Sequence, residues 1–200
     1  HPFSRVDCEG VERLGADMRN DRHHRKAVKP LPNRKLAEKV PLLNCFTAPC
    51  KGGCPIGQDI PEYVELCRLG CYEEALDVIL AKNPLPFITG IICAHHCMDK
   101  CTRNFYDLPV DIRGTKLIAA EHGYDAVLAR LQAPAVRFPD RKAAIVGGGP
   151  TGMAAAHFLA RAGVPVTLFE RENQLGGTVR QVIPGFRISG EAIDKNAAML

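Results

Sequence analysis

Three thiols crowd into N-C-F-T-A-P-C-K-G-G-C-P, residues 44–55: Cys45, Cys50 and Cys54. The proline and glycines between them make the stretch read as a loop too irregular for a helix. A second group, Cys93, Cys97 and Cys101, lies downstream in C-A-H-H-C-M-D-K-C. Structural zinc prefers C-x2-C hairpins and closes on four ligands. Neither group has that spacing. Iron–sulfur clusters take thiolates from more varied loops, often with one from a distant segment, and Cys54-Pro55 has the C-P ending of ferredoxin-like loops. Spacing of i, i+4, i+8 would also put the second group on one helical face as small core residues. The polar surroundings A-H-H-C-M-D-K-C-T-R argue against that and for cluster ligation. Cys67, by contrast, continues the apolar positions Ile60, Tyr63 and Val64 and reads as core. Cys71 falls at a helix junction and Cys8 in an unpatterned leader. His95 and His96 flank the second group, where surface or outer-shell roles suit them better than ligation.

A different chemistry sits at Gly147, Gly148, Gly149, Pro150, Thr151 and Gly152, G-G-G-P-T-G, directly after the apolar K-A-A-I-V. This is G-x-G-x-x-G between a strand and a helix. Gly147 permits the turn, Gly149 lets a pyrophosphate approach the backbone, and Gly152 allows close packing of helix on strand. The phosphates then meet the amides and positive dipole of the helix N-terminus. Glu170 ends the next strand, 18 residues beyond Gly152, where a carboxylate can accept ribose hydroxyls, with Arg171 beside it. An acid there argues against a 2′-phosphate; FAD and NAD both remain physically possible. Leu175-Gly176-Gly177 offers a second close backbone approach. His157, on the helix, reads as packed or solvated.

The elements that must position these residues are legible from periodicity and breakers. Residues 60–69 read as a helix begun near Pro61 and stopped at Gly70; 72–81 as a second, ended by Asn83-Pro84; 84–110 as loop-rich. Asp111–Gln132 reads as a long helix with Leu117, Ile118, Tyr124, Val127, Leu128 and Leu131 at helical spacing. Residues 133–141 form a proline-bounded linker, after which strand, glycine loop, helix and strand make a β-α-β unit. The expected domains are a basic leader or connector (1–40), an α-helical cluster domain (41–132), the linker, and the N-terminal part of a Rossmann-like domain (142–200).

Hydrophobic content of 46% with 24% charge reads as soluble and globular. The net charge of +4 belongs entirely to residues 1–40, with ten Lys/Arg against six Asp/Glu. That leader has acids interspersed and no aromatic beyond Phe3, which favours a solvated connector over nucleic-acid binding. No apolar run approaches membrane-spanning length. Nine cysteines, odd in number and clustered beside a dinucleotide motif, suit metal ligation in a reducing compartment, here the cytoplasm. Opening on His-Pro-Phe and closing on Ala-Met-Leu, the chain reads as a segment of a longer protein.

C-F-T-A-P-C-K-G-G-C-P-I, I-P-E-Y, Y-E-E-A-L, N-P-L-P and C-T-R-N-F, followed by G-G-G-P-T-G, resemble a family of FAD/iron–sulfur pyridine-nucleotide oxidoreductases. It comprises the glutamate synthase small subunit and the N-terminal part of dihydropyrimidine dehydrogenase. L-L-N-C-F-T-A-P-C, F-I-T-G-I-I-C-A-H-H-C and V-I-P-G-F-R-I-S are most like its selenate reductase iron–sulfur subunit branch, although no residue here speaks for selenate. The resemblance covers about residues 40–200. It implies an α-helical domain with two [4Fe–4S] clusters, then the start of an α/β Rossmann-like FAD domain, with NAD(P)H bound beyond this chain. By the same resemblance, Cys45 and Cys50 share one cluster with Cys101, and Cys54 shares the other with Cys93 and Cys97. Leu42 stands where the first cluster's leading cysteine would fall. Lys116 stands near a carboxylate or amide ligand of the second. The gap between Cys93 and Cys97 is two residues shorter than in most relatives. Water, His95 or His96, Lys116 or a neighbouring domain completes each set, or one cluster is labile or lost.

The expected function is an electron-transfer module passing electrons between FAD and a partner domain or subunit, with no acid–base pair for substrate chemistry. The alternative is a non-catalytic scaffold, zinc-bound or metal-free, that docks a partner. A flavin-dependent disulfide reductase would need a C-x-x-C, and the chain has none.

Overall fold

The computed structural model describes residues 47–105, 107–131 and 135–200. The basic leader, Leu42 and Cys45 lie outside the described residues. The described residues belong to one unit, Thr47–Leu200.

Its first part is helical: α1 (Pro49–Gly53), α2 (Ile60–Leu69), α3 (Tyr72–Leu80), α4 (Pro86–Ile92), α5 (His96–Asp99), a 3-10 turn (Thr102–Phe105) and α6 (Ile112–Arg130). The breakers act as expected on α2, which starts with Pro at its first turn and stops at Gly70 in the left-handed conformation. Asp111 Oδ1 caps α6 by accepting from Gly114 N at 3.0 Å.

Two expectations need correction. The first Cys-rich loop is not wholly irregular, because Pro49 starts a single helical turn. Gly53 in that turn is required sterically: a Cβ there would lie 2.9 Å from Lys100 Cγ and 3.2 Å from Cys97 Cα. Residues 84–110 are likewise not loop-rich, since P-F-I-T-G-I-I forms α4. A seven-residue segment apolar on every side shows no helical period, so burial and not pattern makes it a helix.

The face of α6 also differs from expectation. Its buried residues are Ile112, Lys116, Ala119, Ala120, Gly123 and Val127, while Ile118 and Leu131 are exposed. Small residues form the seam because α3 packs tightly there: a Cβ on Gly123 would lie 2.7 Å from Tyr72 O. A second side of α6 meets α4, where Leu117 Cβ lies 3.0 Å from the position of a Cβ on Gly90.

The second part is the β-α-β unit: β1 (Ala143–Val146), α7 (Pro150–Arg161) and β2 (Val166–Phe169), then α8 (Thr178–Gln181) and α9 (Gly190–Ala198). The strands pair in parallel, Ala143 opposite Val166 and Val146 opposite Phe169. The described part of the proline-rich linker is anchored, with Arg137 N and Phe138 N donating to Gly163 O at 2.9 and 3.1 Å.

Two apolar clusters hold the unit. One joins both parts: Leu76, Leu80, Phe87, Ile88 and Val127 with Met153, Val179, Ile193 and Met199. Each such side chain contributes about 1.5–3 kcal/mol when fully buried. The other comprises Ile60, Tyr63, Ala75, Ile79, Ile112 and Ala119, and Cys50, Cys54, Cys67 and Cys97 pack against it. No helix among the described residues is long and apolar enough to cross a membrane.

Candidate functional site

The fold breaks the second cysteine group across three local conformations. Cys93 is the C-cap of α4, Cys97 lies in the single turn α5, and Cys101 follows it. The helical-stripe arrangement of these thiols is therefore not formed. Between Cys93 and Cys97 the chain turns through His95, whose φ of 48° makes it the sole non-glycine with positive φ among the described residues. That turn aims His95 N at Cys93 Sγ, 3.4 Å away.

A cavity of about 320 Å³ opens beside this turn, lined by Cys54, Cys93 and Cys97 together with Gln58, His95 and Lys116 among others. The thiols come from three segments: the end of α1, the end of α4 and α5. Lys116 is only 5% exposed. Arg113, one turn before it on α6, also lines the cavity and donates to Cys93 O at 3.2 Å. Cys50 and Cys101 are not on this wall. Cys101 is near enough to Cys50 for its charge to oppose ionisation of the Cys50 thiol.

The electrostatics follow from burial. Desolvation pushes the Cys97 thiol up, reinforced by Cys54 and Cys93 and opposed by the Lys116 cation. Desolvation also pushes Cys50 up. Lys116 is held below its ordinary value chiefly by burial, against the favourable pull of Cys93, Cys97 and Cys54. Tyr63, 1% exposed, is pushed up by burial and then by Cys97 and Cys54. Among the described residues the cavity wall carries the basic side chains of Lys116 and Arg113 and no carboxylate, a balance that suits a negatively charged occupant.

Among the described residues no three His, Cys, Asp or Glu side chains converge closely enough to hold one metal ion. A tetrahedral zinc with bonds of about 2.3 Å draws its thiolates to about 3.8 Å from one another. A group of several iron and sulfur atoms spreads its thiolates around a larger body. Thiols around a cavity, with two basic side chains and the unpartnered Gln58 amide on residues of the same wall, fit the larger anionic group.

Cys67 matches its core reading: it is half-buried, and its thiol donates to Thr115 O at 3.9 Å. Cys71 is the N-cap residue of α3. His96 Nδ1 lies 3.7 Å from Asp99. His157 is packed, 4% exposed, and burial followed by Arg161 lowers its pKa.

The glycine site is local by comparison. Gly147 has φ of 102° and its N donates to Phe169 O at 2.7 Å, which extends the ladder into the turn. A Cβ on Gly152 would lie 1.9 Å from Gly147 O, so the close approach expected there is to the turn's own carbonyl as well as to Ile145 on the strand. Glu170 reaches back to this loop, accepting from Gly148 N at 2.5 Å and from Arg171 N and Glu172 N at 2.7 and 3.0 Å. Those amides, Glu172 first, hold its carboxyl below the usual range. Gly176 N donates to Gly148 O at 2.8 Å, and Gly177, with φ of 48°, packs on Gly149 so closely that a Cβ would lie 2.8 Å from Gly149 Cα. The structure thus brings Gly147, Gly148, Gly149, Glu170, Gly176 and Gly177 together, with Pro150 and Thr151 in the first turn of α7. The Arg171 side chain instead points outward and pairs with Glu172.

Sequence reasoning missed several supports. Leu175 covers Gly148, its Cδ2 standing 2.4 Å from where a Cβ would be. Arg180 Nε donates to Leu175 O at 2.7 Å, and its guanidinium pairs with Asp194. Gln58 on the thiol cavity carries no sequence signal, since it follows Cys54 in a turn without periodicity.

The family described as dihydropyrimidine dehydrogenase domain II, 4Fe-4S cluster, matches residues 24–126. An NAD(P)-binding Rossmann-like domain matches residues 145–195. Among curated proteins, the chain is 46% identical over 188 residues to "Putative oxidoreductase YgfK" of Escherichia coli K12, covering 94% of the chain and 18% of that protein. It is 33% identical over 175 residues to the glutamate synthase [NADPH] small chain of Mycobacterium tuberculosis, covering 87% and 36%. It is 36% identical over 156 residues to the NADPH-Fe(3+) oxidoreductase subunit beta of Geobacter sulfurreducens, covering 77% and 23%. The chain therefore spans only 18% to 36% of the length of these relatives. With its helical thiol-bearing part followed by a short Rossmann-like segment, the chain belongs to the dihydropyrimidine dehydrogenase domain II, 4Fe-4S cluster, family.

Proposed function

We propose that this chain is the electron-relay portion of an NAD(P)H-dependent FAD/iron–sulfur oxidoreductase. The observation that carries this reading is the cavity where Cys54, Cys93 and Cys97 meet buried Lys116. Iron–sulfur clusters supply one-electron transfer, and a flavin connects it to two-electron hydride chemistry. Cys54, Cys93 and Cys97 hold one [4Fe–4S] cluster; Cys50 and Cys101, with Cys45, hold a second. Lys116 and Arg113 offset negative charge at the first. The helical part ends near residue 132 and the dinucleotide part begins near 142.

In the second part, the loop Gly147–Gly152 presents amides at the N-terminus of α7 to a pyrophosphate. Glu170 already accepts three backbone N–H bonds, and a carboxylate has about four acceptor positions, which leaves room for a ribose hydroxyl. The Leu175–Gly177 element against Gly149 favours FAD here over NAD, with NAD(P)H bound elsewhere in the full protein. Relatives named as subunits support a catalytic partner domain or subunit that exchanges electrons with this portion. Clustered reduced thiols suit the cytoplasm.

The test is anaerobic quantification of iron and acid-labile sulfide in the full protein and in its Cys54→Ser variant. A loss of about four irons per chain in the variant is expected, and of about eight when Cys50→Ser is added. Wild-type protein free of iron and sulfide defeats the relay reading and leaves the docking scaffold.

A further inference from the structure

Four buried side-chain nitrogens among the described residues have no hydrogen-bond partner: Gln58 Nε2, His95 Nδ1, His157 Nε2 and Asn196 Nδ2. Two of the four, on Gln58 and His95, belong to residues that line the thiol cavity. A buried amide N–H left unpaired costs about 1–3 kcal/mol. Of the two, the Gln58 amide nitrogen can only donate, so a residue of this wall carries a buried donor that still lacks an acceptor. The cavity's remaining polar wall carries three thiols, Tyr63, Asn83, Thr89, His96 and the basic Lys116 and Arg113, with no carboxylate among the described residues, a lining that suits an anionic acceptor.

Gln58 is the more constrained of the pair. It is 4% exposed, and its backbone is pinned on both sides. Gly57 O accepts from Lys82 Nζ at 2.7 Å, and Gln58 O accepts from Ile60 N at 2.9 Å, just where α2 begins. It stands four residues beyond Cys54, so the turn that delivers a thiol to the cavity also delivers an amide. An amide nitrogen donates and cannot ligate. Its chemistry toward a sulfur-rich anion is therefore hydrogen bonding, which stabilises the more negative, reduced state.

We propose that Gln58 donates its side-chain amide N–H to the sulfur atoms of the cluster held by Cys54, Cys93 and Cys97, and so raises that cluster's reduction potential. This rests on the iron–sulfur reading above.

The test is an EPR-monitored redox titration of the full, anaerobically prepared protein and its Gln58→Met variant, which keeps length and removes both N–H groups. The expected result is a tenfold loss in the reduction equilibrium of one cluster, about 59 mV for one electron, with the other unmoved and the iron content unchanged. Both potentials unmoved at full iron content overturns the assignment while leaving the clusters in place. A second measurement needs no variant: in wild-type protein carrying 15N in its glutamine side chains, pulsed EPR of the reduced clusters should detect a weak 15N coupling. No coupling overturns the assignment even where Gln58→Met does not fold. A wild-type protein without iron overturns the cluster reading itself, and this proposal with it.

Discussion

The two halves of this unit build sites in opposite ways. In the β-α-β half, the candidate site is made of backbone atoms, and most of them sit in one six-residue stretch, Gly147–Gly152. Only Glu170 and Gly176-Gly177 are brought in from farther along, by a parallel strand pair and an amide–carbonyl bond. In the helical half, the candidate site is made of side chains. They arrive from α1, from the α4–α5 turn and from α6, separated by up to 62 residues between Cys54 and Lys116. A local backbone site tolerates change around it but not within it. A side-chain site assembled over distance depends on the core that aligns its segments.

The largest effect should come from the local site. Gly152→Ala puts a Cβ within 1.9 Å of Gly147 O, a backbone clash that only rearrangement of the loop relieves. We expect a loss of about 3 kcal/mol or more, read by denaturant unfolding, together with loss of bound dinucleotide. Retention of both would mean that the glycine turn is not the rigid element its contacts imply.

Cys97→Ser sharpens the contrast from the other side. It should remove about four irons while bound flavin stays stoichiometric, measured on the same sample by iron assay and absorbance. Parallel loss of flavin would erase the distinction between the two sites.

Asn196→Ala probes the seam between the halves. Asn196, fully buried on α9, accepts from Ile88 N on α4 at 2.9 Å through Oδ1. Its removal leaves a buried N–H unpaired and should cost about 1–3 kcal/mol in a single unfolding transition. Two separated transitions would show that the halves are held together less by this core than by their linker.

The smallest effect is a pH dependence that originates in one residue of the second half. His157 is buried, its pKa is lowered by desolvation and then by Arg161, and Arg137, Arg130 and Asp77 line the cavity beside it. A histidine with a depressed folded value binds fewer protons folded than unfolded, so its contribution is complete above the unfolded value of about 6.5 and falls as pH drops below it. His157→Gln should flatten that part of the stability–pH curve. An unchanged slope would assign it to other groups.

How much was legible divides along the same line. The glycine loop, Glu170 and Leu175–Gly177 were readable because each lies in a short segment whose pattern states its conformation. The stop at Gly70 was readable for the same reason. The thiols were readable by residue type, and the grouping of Cys54 with Cys93 and Cys97 came by resemblance; the cavity seats those three together. What pattern could not yield was α4, too short and too uniformly apolar to show a period, and the inward face of α6. There Ala119, Ala120 and Gly123 displaced larger residues from the seam because α3 approaches so closely.

The sequence by itself determined the chemistry available: cysteine thiols in two groups, a glycine turn after a strand, and an acid to follow it. Those depend on residue type and on conformations fixed within a few residues. Only the tertiary structure decided which thiols meet, that a buried lysine faces them, and that Gln58 and His95 hold unpaired nitrogens in the same wall. These facts depend on how helices pack, and packing is settled by the summed burial of side chains far apart in the chain.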